Sequence, residues 1–132
     1  MVTLSMTKEQ AETLKMACEV MARLYVGQTN MLNRVCNADR DTLNKVKELC
    51  FPELVGPSYH AITNQNVSDD AKQLWDFYQV IRHYLSWEDQ PNTPKTRDWK
   101  TQMTVNFDEP MKISETQALP IIKGDDNESN QE

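Results

Sequence analysis

Between Ser68 and Trp87 the chain carries nine large apolar side chains in twenty residues, and their spacing is helical rather than alternating. Leu74, Trp75, Phe77, Tyr78, Val80, Ile81, Tyr84, Leu85 and Trp87 spread over roughly 240° of circumference when each residue advances the helix by about 100°. An ordinary surface helix buries a stripe of about 100°. A helix so widely apolar needs cover on several sides. Ser68 is placed to cap it, Asp69 and Asp70 suit the positive end of its dipole, and the prolines at 91 and 94 stop it soon after Trp87.

The rest of that helix is a narrow polar strip of Lys72, Asp76, Gln79, His83 and Ser86. Arg82 stands at the edge of the apolar arc, with Tyr78 four residues and Trp75 seven residues before it. Two readings follow. Arg82 either stacks on its neighbours and pairs with a carboxylate of the same chain, or it grips an anion of a ligand or partner. In the second reading Arg82 supplies the guanidinium fork, Trp75, Tyr78 and His83 shape the site, and Gln79 and Trp87 stand alongside.

Two further helices precede this one. Thr7-Lys8-Glu9-Gln10 fits a capping box. Beyond it, Leu14, Met21, Gln28 and Val35 recur every seven residues, as do Cys18, Tyr25 and Leu32, flanked by Ala17, Leu24 and Met31. One long helix over 7–35 is expected, with Gly27 allowing a bend or a close contact. Gln28 falls in its apolar seam, either as a half-exposed residue at a helix crossing or as a buried amide that fixes register or touches a ligand. A short helix follows, capped by Asp39 or Asp41, with Leu43, Val46, Leu49 and Cys50 on its apolar face and Pro52 ending it. Residues 56–66 read as a loop in which Tyr59 and His60 are either surface residues or part of a lid.

After Pro94, Lys95, Arg97 and Lys100 surround Trp99, a basic-aromatic loop that is either solvated with one anchoring tryptophan or able to bind nucleotides or nucleic acid. Met103, Val105 and Phe107 alternate with polar residues, which predicts a short strand that Met111 and Ile113 would extend. From Ser114 onward five acids face one lysine, so this stretch carries −4 of the net −6. It reads as an extended to disordered acidic tail, 114–132, disordered from about Lys123, behind one domain of residues 1–113. The fold expected is mainly α: one long, one short and one buried amphipathic helix, with one or two short strands near the C-terminus.

Several functions fit poorly. A net charge of −6 opposes non-specific binding to nucleic acid or to anionic lipid. No run of about 18 apolar residues predicts a membrane span. Residues 1–7 lack the apolar run of a signal peptide, and three cysteines without an export signal predict free thiols in a reducing cytoplasm. Two histidines and no CxxC or HxxxH spacing predict no metal site. There is no GxSxG, P-loop or GxGxxG pattern, so a non-enzymatic protein without a cofactor is expected. One long and one short helix cannot cover the arc on residues 68–87, which predicts a homo-oligomer built on 68–87 and 7–35.

The run from Ala71 to Trp87, with its core Tyr78-Gln79-Val80-Ile81-Arg82-His83-x-Leu85-x-Trp87, followed by Val105-Asn106-Phe107-Asp108-Glu109-Pro110-Met111, resembles a family of small tailed-bacteriophage proteins. The similarity is clearest over residues 68–113. The segment from Pro91 to Lys100 departs from it, where the family has a Gly-rich link. The resemblance implies a phage accessory protein of the bacterial host cytoplasm, one that binds and neutralises a host factor. A counter-defence sponge for an anionic nucleotide immune signal is one form of this. A structural or assembly accessory of the phage and a small nucleotide-acting enzyme are the alternatives.

Overall fold

The computed structural model describes residues 1–54, 59–89 and 109–124, with the backbone alone for 87–89. Its elements are α1 (Lys8–Tyr25), a 3-10 helix (Thr29–Arg34), α2 (Arg40–Cys50), a second short 3-10 helix (Pro52–Leu54) and α3 (Asp69–Asp89). The domain is mainly helical, and among the described residues there is no strand. The strand pattern at Met103–Phe107 and the basic-aromatic loop at Lys95–Lys100 lie outside the described residues.

The capping box at Thr7 forms as the sequence predicts, with the Gln10 amide N–H donating to the Thr7 hydroxyl at 3.1 Å and the Thr7 amide donating to the Gln10 side chain at 2.8 Å. The helix that follows is shorter than expected. It stops at Tyr25, not at Val35, because the chain turns into a left-handed residue at Gly27, with φ of +91°. The Gln28 amide reaches back to the Arg23 carbonyl at 3.0 Å and the Gly27 amide to the Leu24 carbonyl at 3.1 Å. This is the Schellman arrangement, which satisfies carbonyls that a helix end leaves open. A Cβ on Gly27 would also meet Leu54 Cδ1 at 2.8 Å. The heptad pattern runs on through Leu32 because a 3-10 helix follows at once. Gln28 thereby leaves the seam, and its side chain accepts from Arg23 Nη1 at 3.1 Å.

α2 starts at Asp39, whose carboxylate accepts from the Thr42 amide at 2.7 Å. It ends before Pro52, as expected. Its apolar face is only partly used: Leu43 is buried, whereas Leu49 and Cys50 are exposed. Thr29 joins α2 to the first 3-10 helix through its hydroxyl, which donates to the Leu43 carbonyl at 3.2 Å. All three thiols are free, and only Cys18 is buried.

α1 and α3 pack antiparallel, with Ala11 against Ile81 and Leu85 at one end and Val26 against Val67 and Ala71 at the other. Ala22 and Ala71 have no exposed surface. Ile81 and Leu85 each contribute about 1.5–3 kcal/mol by leaving water.

The second cover for α3 comes from the same chain. Residues 109–117 run antiparallel along its polar strip, held by side chain to main chain bonds. Gln79 is bonded both ways to Met111, donating to its carbonyl at 2.8 Å and accepting from its amide at 2.9 Å. Asp76, only 2% exposed, accepts from the Ile113 and Ser114 amides at 2.9 and 3.1 Å. Asp69 accepts from the Glu115 amide at 2.8 Å and from the Thr116 hydroxyl, and Lys72 pairs with Glu115 at 3.2 Å. The chain bends at 115–117 and returns, so that Ile122 packs on Ala11, Ile81 and Leu85. The boundary drawn at Ser114 therefore falls inside a docked strap, with Ser114 only 3% exposed. Among the described residues, Met111 and Ile113 bond to side chains of α3 and belong to no strand.

Candidate functional site

The residues singled out around Arg82 divide between two places. Trp75, Tyr78 and Arg82 come together on the flank of α3 that meets α1. The Trp75 and Tyr78 ring centroids lie 4.8 Å apart at 47°, and the Arg82 guanidinium sits 4.9 Å from the Tyr78 ring centre. Arg82 Nη1 also donates to the Tyr78 hydroxyl at 3.3 Å. Gln79 does not join them: its amide is taken up by Met111. His83 lies beside Gln79 and Asp76 on the strap side of α3, about 100° round the helix from Arg82. The Trp87 side chain lies outside the described residues.

α1 supplies members that the sequence reading missed. Arg23 stacks over the other ring, 5.0 Å from the Trp75 centre. It is held there by Glu19, which accepts from Nε at 3.0 Å, and by Gln28. Glu19 also approaches Arg34 at 3.8 Å. The result is a row, Arg34–Glu19–Arg23–Trp75–Tyr78–Arg82, that crosses from the first 3-10 helix over α1 to α3. The Glu19/Arg23 spacing of four was visible in the sequence as an ordinary surface pair. Its place opposite Trp75 depends on how α1 and α3 meet, which no local pattern encodes.

Arg82 differs from the other arginines of the row. Among the described residues no carboxylate lies within 4.0 Å of it. Its Nε is shielded from water and has no acceptor. A buried donor left without a partner costs about 1–3 kcal/mol, more when the group is charged. Among the described residues Arg82 stacks on Tyr78 and pairs with no carboxylate; the side chains of residues 87–108 lie outside the described residues. The rings are already engaged, since each carries a guanidinium and the two lie against one another. With Nε shielded and Nη1 bonded to Tyr78, Arg82 keeps Nη2 for an outside acceptor, and the row has no empty slot for a flat ring.

Elsewhere the chemistry is less suited to an anion. A depression of about 240 Å³ on the outer face of α3 is lined by Asp70, Gln73, Leu74 and Phe77, and none of these is basic. Among the described residues no cluster of three histidine, cysteine or acidic side chains could hold a metal ion. Burial pushes the Cys18 thiol above its usual value, which makes it less reactive. Asp69 is held well below the usual carboxylate range, first by the Thr116 hydroxyl, then by the Glu115 amide and the Gln73 side chain. No helix among the described residues is long and apolar enough to cross a membrane.

Comparison with known proteins finds no match: no family model fits the chain, and no curated protein and no solved structure is significantly similar to it.

Proposed function

We propose that this is a non-enzymatic binding protein that takes an anionic group of its target on Arg82. The observation that carries this reading is the Arg82 guanidinium itself, positioned by Tyr78 and, among the described residues, without a carboxylate partner and without an acceptor for its Nε. A guanidinium presents paired N–H donors to a carboxylate or a phosphate, and such charge-assisted bonds are about twice as strong as neutral ones. The row contains no free base to activate a nucleophile, because its one carboxylate, Glu19, is shared by two arginines. In the setting implied by the resemblance to tailed-phage proteins, the target is a host factor in the bacterial cytoplasm, and binding neutralises it. A nucleotide signal would be held by its phosphate rather than by base stacking.

The test is calorimetric titration with inorganic phosphate and with any small molecule that copurifies, identified by mass spectrometry. Arg82→Lys keeps the charge and loses the fork, so binding should weaken about tenfold or more with the fold intact. Equal binding by the parent, Arg82→Lys and Arg82→Ala proteins would refute the assignment.

A structural, self-associating role is the second reading. It is favoured by Phe77, 41% exposed in the middle of α3, and by the exposed apolar residues Val2, Leu4 and Met6 ahead of α1. Light scattering decides it: a homo-oligomer supports this reading, and a 15 kDa monomer at micromolar concentration removes it.

A further inference from the structure

The charges of the row do not balance. Arg34, Arg23 and Arg82 provide three guanidiniums against the single carboxylate of Glu19, which leaves +2 on one line of a chain whose net charge is −6. The middle is satisfied. Arg23 has Glu19 on Nε, Gln28 on Nη1 and the face of Trp75 beneath it. The two ends are not. Arg34 is 47% exposed at the side chain and reaches Glu19 only at 3.8 Å, and Arg82 has no carboxylate within 4.0 Å among the described residues. A ligand lying along the row therefore meets a cation at each end and a neutralised, aromatic stretch between.

We propose that the row docks an acidic segment of a partner protein, with one carboxylate on Arg82 and a second on Arg34. This rests on the anion-binding reading of Arg82 and adds the class of target. The steps from Arg23 to Trp75, from Trp75 to Tyr78 and from Tyr78 to Arg82 are each close to 5 Å. These steps cover about 15 Å from Arg23 to Arg82, and Arg34 lies further on, beyond Glu19; at about 3.3 Å per residue of extended peptide, acids at least about five residues apart are needed to span the row. Carboxylates suit both ends, because a guanidinium fork binds them through two parallel bonds. A nucleic-acid strand suits them less. Its bases would need free ring faces, and Trp75 and Tyr78 have committed theirs to guanidiniums and to each other. Its long polyanionic backbone would also meet a chain of net charge −6.

The experiment measures binding of three probes to the full chain by Trp fluorescence or anisotropy. They are a peptide with two glutamates five residues apart, the same peptide with one glutamate replaced by glutamine, and a single-stranded thymidine oligonucleotide. The two-acid peptide should bind at least about fivefold tighter than the one-acid peptide, the worth of one exposed ion pair. Arg82→Gln and Arg34→Gln should each remove that advantage, and the double variant should lose no more than either alone. Circular dichroism checks that the variants fold. If Arg34→Gln leaves the two-acid peptide unaffected while phosphate binding still depends on Arg82, this proposal falls and the Arg82 site stands. If no anion binding depends on Arg82, both fall. Tighter binding of the oligonucleotide than of either peptide would overturn the choice of a protein partner.

Discussion

Asp76 is the side chain whose removal should reveal what holds the C-terminal strap. It is 2% exposed and carries two main-chain amides, Ile113 at 2.9 Å and Ser114 at 3.1 Å, one on each carboxylate oxygen. A hydrogen bond to a charged acceptor contributes about 1.5–3 kcal/mol net. Asp76→Ala deletes two such bonds and leaves two donors with no acceptor, so the strap detaches locally or keeps unpaired amides. Both routes cost about the same two bonds, and about 3–5 kcal/mol is expected. Asp76→Asn keeps one acceptor oxygen and turns an NH₂ towards the other amide. Its loss should be smaller, about 2–3 kcal/mol. For a domain of this size 1 kcal/mol moves Tm by about 3–6 °C, so Asp76→Ala should melt at least about 10 °C lower. Urea unfolding gives the energies, and hydrogen exchange gives the location: the amides of 111–116 should lose protection before those of the α1–α3 pair. A loss under about 1 kcal/mol for Asp76→Ala, with unchanged exchange at Ile113 and Ser114, would show that the strap does not depend on this carboxylate.

Other consequences are simpler to read. Gly27→Ala must hold a positive φ and push against Leu54, so it should cost about 1–3 kcal/mol in chemical denaturation; a neutral result would remove the helix-stop argument. Asp69 has a folded pKa below its ordinary value of 3.8, so its contribution is complete above that pH and declines as pH falls towards the lowered value. Asp69→Asn should therefore be less stable than the parent at neutral pH, with the gap closing in acid, and a pH-independent gap would contradict the latch. Ile122→Ala should destabilise by about 2–4 kcal/mol, because Ile122 is partly buried against the Ala11, Ile81 and Leu85 cluster, whereas deleting residues 125–132 should leave Tm unchanged within error.

The wide arc on α3, the capping box at Thr7, the cap at Asp39 and the stop at Pro52 were legible because each is a contact between residues within a turn or two. Such features depend on spacing alone, and spacing is what a sequence displays. The stop at Tyr25 was misread for a related reason. Gly27 tolerates a bend, a close approach or a left-handed turn, and the seven-residue pattern continues through the 3-10 helix, so only the observed Arg23–Gln28 hydrogen bond separates one long helix from two pieces.

The strip of Lys72, Asp76, Gln79, His83 and Ser86 shows the larger division. Its polarity and period belong to the sequence, but polarity alone does not say whether water or backbone satisfies a carboxylate. Tertiary structure laid residues 109–117 on it, more than 30 positions away, and so buried Asp76 and used up Gln79. The candidate site divides in the same way. That Trp75, Tyr78 and Arg82 share a face follows from helix geometry. That Arg23 caps the other ring was decided by the antiparallel packing of α1 on α3. Long-range register is set by how whole faces fit, and no short stretch of the chain contains that information.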